Sequence, residues 1–184
     1  MKKLALILLA LLAAPAISSA ADWKIVAEKS KIEFKATQND SAVTGQFKKF
    51  SGKINFDPAQ LKTSKVEIEV DINSVESSLS DAVSTLKTPE WFSVKIFPKA
   101  VFVADKFTKI ADKKFSADGK LTIRDKTVPT KLEFVLEEYS AKSAKAVGSI
   151  AIKRSDFGVG PKDPANAHGV KDEVAVSFVV NAVK

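Results

Sequence analysis

Between Lys65 and Ile72 the chain reads KVEIEVDI, and no other stretch restricts the fold so sharply. Val66, Ile68, Val70 and Ile72 fall on one side of an extended backbone, with Glu67, Glu69 and Asp71 on the other. Wound into a helix, these apolar groups would scatter around the axis. As a strand they form one buried face and leave one wet. Ile32 and Phe34 alternate with Lys31, Glu33 and Lys35 in the same manner. In GQFKKFSGKINF, Gly45 and Phe47 are in odd phase, whereas Phe50, Gly52, Ile54 and Phe56 are even. The phase slips at Lys48-Lys49, which predicts a bulge or sharp bend there, and Asp57-Pro58 ends the strand.

Further strands are expected at Ala100 to Ala104, Phe115 to Ile123, Val128 to Glu137, Ala146 to Lys153 and Val174 to Val183. DGKLTIRDKTVPTKLEFVL reads as a hairpin turning at Asp125-Lys126, with Leu121 and Ile123 on one arm and Leu132, Phe134 and Leu136 on the other. In SSLSDAVSTLKTPEWF, Leu79, Ala82, Val83 and Leu86 recur at helical spacing behind candidate Ser caps, and Pro89 should stop the helix. Regular short strands joined by turns imply an antiparallel barrel or sandwich.

Residues 1–20 are set aside as a secretory signal peptide. Lys2 and Lys3 precede the apolar run Leu4 to Leu12 and the small-residue tail AAPAISSA, so cleavage is expected before Ala21. The apolar run is too short to span a bilayer comfortably. The mature chain from residue 21 to 184 is one domain in size, placed by this leader in the bacterial periplasm, and it contains no cysteine for a disulfide or a lipid anchor. Removing Lys2 and Lys3 lowers the formal charge from +7 to +5. Only Arg124 and Arg154 are arginine, and the lysines are spread along alternating strands. Clustered arginines with interleaved aromatics are missing, so nucleic acid is not an expected partner, whereas weak attraction to an anionic membrane surface is compatible with the charge.

ADWKIVAEKSKIEFKATQ, GQFKKFSGKINFDP, SKVEIEVDINSVES, LKTPEWFSVKIFPKAVF, GKLTIRDKTVPTKLEF and IKRSDFGVG with VKDEVAVSFVV resemble, in this order, the YceI-like family. The resemblance implies an all-β fold: a lipocalin-like extended antiparallel β-barrel of about eight strands with one or two short helices. It also implies a periplasmic protein whose interior holds an isoprenoid lipid, such as a polyprenyl quinone, or another amphiphile. Many relatives carry a histidine where this chain has Lys29, and often another where it has Thr37 to Asn39, so no role of those histidines transfers. In IRDKTVP, Asp125 stands where a turn glycine is usual. The form with ATQ, EWF and GVG resembles the branch found beside membrane b-type cytochromes, which implies such a cytochrome as a partner by analogy alone.

A barrel of this size either fills with side chains or keeps a cavity for one apolar ligand, and alternation does not decide between them. It supplies inward-facing candidates for a lining: Phe34, Phe47, Phe50 and Ile54 from the first half, and Val66, Ile68, Val70 and Phe102 beyond them. Leu121, Ile123, Leu132, Phe134, Ile150, Ile152, Val176 and Phe178 continue the set, with Phe56, Leu136 and Val174 in the same phase. Trp91 and Phe92, following Pro89, are expected to close one end of the barrel and line its mouth, or to form an ordinary hydrophobic plug.

Conventional catalytic signatures are missing. His168 is the single histidine, which with no cysteine excludes the usual nitrogen–sulfur zinc site. KDPANAHGVKDE groups Asp163, His168, Asp172 and Glu173 without a recognised ligand spacing and reads as a solvated loop. No Gly-x-Ser-x-Gly elbow is present, Glu67, Glu69 and Asp71 read as a wet strand face, and Arg154 and Asp156 are expected to pair across a turn. The reading is therefore a non-enzymatic carrier of an isoprenoid lipid, without a cofactor. The alternatives are an enzyme acting on a lipid-like substrate in the same cavity, and a stress-related protein with a packed, ligand-free barrel.

Overall fold

The computed structural model describes residues 22–163 and 167–184. The leader and its cleavage point lie outside the described residues. Eleven strands and one α-helix follow in order: β1 (Asp22–Ile25), β2 (Lys31–Gln38), β3 (Ser41–Phe47), β4 (Phe50–Asn55), β5 (Lys65–Asp71), β6 (Val75–Ser77), α1 (Ser80–Leu86), β7 (Lys99–Ala111), β8 (Lys114–Ile123), β9 (Lys126–Tyr139), β10 (Ser143–Lys153) and β11 (Glu173–Val183).

Every ladder is antiparallel. Eight strands run β1-β4-β5-β7-β8-β9-β10-β11, and β1 pairs β11 through Lys24 with Val183 and Ile25 with Ala182, so the ring closes without an edge. β11 has two partners on its other side: its C-terminal end meets β1, and its first half meets β2 from Ala175 opposite Lys35 to Val179 opposite Lys31. β2, β3 and β6 thereby extend the wall at one end. The phase slip at Lys48-Lys49 is the break between β3 and β4, where Lys48 and Lys49 donate through their amides to the main-chain oxygen and the hydroxyl of Ser74.

Three local expectations are corrected. The β8–β9 hairpin turns at Arg124-Asp125, because Ile123 pairs directly with Lys126, and the left-handed residue is Arg124 with φ 56°. An L-residue there is strained, and Arg124 offsets this by donating from Nη1 to the main-chain oxygens of Trp91 and Gly158. Helix α1 has no serine cap: its N-cap is Leu79, whose amide is met by Ser77 Oγ at 3.2 Å. The helix stops at Leu86, one turn ahead of Pro89. Arg154 and Asp156 do not pair, because the Arg154 guanidinium is turned inward to main-chain oxygens while Asp156 is exposed.

Two buried clusters occupy opposite ends of the barrel. At the end formed by the β11 C-terminus, Phe56 packs edge-on to Phe107, Phe115 and Phe134 at 5.3–5.7 Å between centroids, with Trp23 and Leu136 beside them. At the end covered by α1 and the loop after β10, Ile72, Trp91, Val94, Phe157 and Val159 are buried together.

Candidate functional site: a two-chamber apolar lumen

The interior between these clusters is hollow. Alternation on β2, β5, β8, β10 and β11 sends every second side chain inward, and the lysines and glutamates between them face solvent. The space divides into two chambers along the barrel. The upper one, with a cavity volume of about 530 Å³, is enclosed by Phe34, Phe47, Ile123 and Ile152 on the wall and by Leu86, Trp91, Phe92, Phe157 and Val159 at the covered end. The lower one, about 220 Å³, is lined by Ile54, Val66, Ile68, Phe102, Leu132, Phe134, Ile150 and Phe178, with Trp23, Phe56 and Phe107 at its floor.

Five residues line both chambers: Ile32, Val70, Ala100, Leu121 and Val176, from β2, β5, β7, β8 and β11 respectively. They form a waist. Val70 and Ala100 are direct ladder partners. Of the side chains expected inside, Phe50 lines neither chamber; it is half-buried at the first position of β4, beside the strand break. The remaining candidates face one chamber or both.

Glycines keep the wall thin. A Cβ on Gly45 would lie 2.2 Å from Phe34 Cζ, and one on Gly148 would lie 2.5 Å from Phe178 Cζ. Each glycine is the ladder partner of that phenylalanine. The rings therefore lie across the glycine backbone.

The two chambers differ in polarity. Among the described residues around the lower chamber, the polar side-chain groups are the Thr130 hydroxyl and the Trp23 indole N–H, the latter already bonded to the Phe56 main-chain oxygen. The upper chamber adds Gln38, Ser80, Asp81, Thr85, Arg154 and His168. Arg154 is buried, and its guanidinium donates to the main-chain oxygens of Val159 at 3.0 Å, Pro161 at 2.5 Å, Val170 at 3.0 Å and Lys171 at 3.2 Å. Burial lowers its pKa, partly countered by the carboxylate of Asp172. Its cation also stands 5.6 Å from the centre of the Trp91 ring. Trp91 Nε1 is buried with no hydrogen-bond partner among the described residues. His168 lies at the exposed rim with φ 51°, and its main-chain oxygen accepts from Gln38 Nε2 at 2.9 Å. Among the described residues no group of three or more His, Cys, Asp or Glu side chains is placed to hold a metal.

The lining also includes residues beyond the candidates drawn from alternation. Ile32 shares the phase of Phe34 and was visible by the same alternation. Trp23 and Val180 lie on strands whose alternation also shows them, whereas Phe107 is out of phase with Ala100 and Phe102 and is turned inward by the register shift between Ala104 and Lys106. Ala100 shares the phase of Phe102 on the strand expected from Ala100 to Ala104, whereas Gln38, being polar, gives no such signal.

A closed eight-stranded antiparallel barrel with an apolar lumen defines a lipocalin-like barrel. Residues 23–182 match the YceI-like domain family, and the chain belongs to that family. A UPF0312 protein of Shewanella denitrificans is 30% identical over the whole of both chains. The crystal structure of BcnA from Burkholderia cenocepacia is 28% identical, with a TM-score of 0.79 over 85% of this chain and 98% of that one. A polyisoprenoid binding domain from Saccharophagus degradans shares the fold at 14% identity, with a TM-score of 0.71 over 90% of this chain and 99% of that one.

Proposed function

We propose that the protein is a periplasmic carrier that buries the tail of an isoprenoid amphiphile, a polyprenyl quinone or a related lipid, in the lumen and exchanges it with a membrane. The single observation that carries this reading is the hollow, apolar, two-chamber interior of a closed barrel. Each methylene moved from water into such a lining contributes roughly 0.8 kcal/mol, so a long tail is held without any charged contact. The polarity difference orients the guest: its head lies in the upper chamber near Gln38, Thr85 and His168, and its tail points to the Trp23 end. The binding activity of the Saccharophagus degradans domain is consistent with this ligand class.

No chemical step is assigned. A b-type cytochrome as the membrane partner rests on analogy with the family branch and is tested separately, by co-purification. The carrier reading is tested by exporting the protein to a bacterial periplasm, extracting it with organic solvent and identifying the extract by mass spectrometry. An isoprenoid lipid near one per chain is expected. Turnover products would favour the enzyme, and an empty extract together with no uptake of added polyprenyl quinone would overturn the carrier.

A further inference from the structure

The waist is built from four branched side chains and one small one. Ile32, Val70, Leu121 and Val176 project from four strands around the lumen, and Ala100 stands in the same ring directly across the ladder from Val70. Ala100 is only 8% exposed and lines both chambers. The volumes on its two sides are unequal in a telling way. The upper chamber lies within the ~300–1,000 Å³ that encloses a whole small ligand. The lower, about 220 Å³, falls short of that range and is lined almost wholly by carbon. It suits the end of a chain whose beginning lies elsewhere.

We propose that Ala100 is a specificity-determining residue that sets the length of apolar chain the barrel accepts: the missing side-chain volume at this position lets a tail pass from the upper chamber through the waist into the lower one. The proposal rests on the reading of the lumen as a lipid site and adds to it a length rule. Chains that end within the upper chamber gain nothing from the lower. Longer chains gain roughly fourfold in affinity per methylene that crosses into it. A bulkier residue at 100 projects into the waist and removes that gain.

The two tryptophans of the chain make this directly observable, since Trp91 lines the upper chamber and Trp23 the lower. The experiment titrates linear isoprenoid alcohols of two to five units into the otherwise wild-type protein, into Trp23→Phe, which reports the upper chamber, and into Trp91→Phe, which reports the lower. The expected result is that the shortest alcohol perturbs Trp91 alone, that longer ones also perturb Trp23, and that affinity climbs with each unit. In Ala100→Leu the climb with length flattens, with at least a tenfold loss for the longest alcohol, and the Trp23 response disappears. Ala100→Val adds less bulk and reads the same effect at lower amplitude where the leucine disturbs folding. A Trp23 response and a length dependence that survive both substitutions overturn the waist proposal alone. No response of either tryptophan to any alcohol in the wild-type barrel overturns the lipid site itself, and the length rule with it.

Discussion

Trp23 Nε1 donates to the main-chain oxygen of Phe56 across 2.9 Å, joining residues 33 apart in the chain inside the floor of the lower chamber. The bond ties β1, the strand that closes the barrel, to the residue that follows β4. Trp91 makes the contrasting case, because its Nε1 is equally buried and has no partner among the described residues.

Trp23→Phe leaves the Phe56 oxygen buried without its donor, which costs about 1–3 kcal/mol in addition to lost packing. Trp91→Phe loses packing but abandons no partner. Thermal unfolding should therefore show a larger fall in Tm for Trp23→Phe than for Trp91→Phe. The reverse order would mean that the indole hydrogen bond does not hold the closing strand.

Gly148→Ala places a methyl 2.5 Å from both the Glu133 main-chain oxygen and Phe178 Cζ, a ring that lines the lower chamber and would be pushed toward it. Over-packing of this kind costs about 1–3 kcal/mol. The variant should unfold at lower temperature and take up less of an isoprenoid alcohol than the wild type. Equal stability and equal uptake would show that Phe178 is free to move along the wall.

The barrel itself was readable because period-two alternation is a local property. Val66, Ile68 and Val70 declare their face within six residues, and the slip at Lys48-Lys49 marked the break between β3 and β4. Whether the barrel is hollow was not readable, since that depends on how far side chains from opposite strands reach across the axis. The waist is the clearest instance: Ile32, Ala100 and Val176 come from strands far apart in the sequence, and only the folded barrel makes each of them line both chambers. Arg154 misled for a related reason. Its nearest acid in sequence is Asp156, yet the chain folds so that carbonyls from residues 159 to 171 surround the guanidinium.

Arg154→Met removes the donors to four main-chain oxygens at once. Each unpaired buried acceptor is costly, and a total of about 3 kcal/mol or more is expected. In a chain of this size that lowers Tm by roughly 6 °C or more. Hydrogen exchange should accelerate at the amides of Val159 and Val170, which sit in the loop the guanidinium gathers. A Tm within about 2 °C of wild type, with exchange unaltered, would show that the loop is held by its apolar contacts instead.

Tyr139 gives the fold a sensitivity to alkali. Burial, and then the nearby carboxylate of Asp57, raise its phenol pKa above the ordinary 10.0. The folded state therefore holds this proton more tightly than the unfolded chain does. The associated stability is fully present below about pH 10 and is lost as pH rises through the raised value. Tyr139→Phe has no such proton, so its Tm should decline less steeply than that of the wild type above pH 10. Parallel curves would remove Tyr139 from the alkaline response.

The central claim is tested most directly by a crystallographic map of the protein loaded with a polyprenyl quinone. The account predicts continuous tail density running from the upper chamber past Ala100 to the Trp23 end, with the head among Gln38, Thr85 and His168. A map in which protein side chains fill both chambers, or in which the quinone lies only on the outer surface, would contradict it.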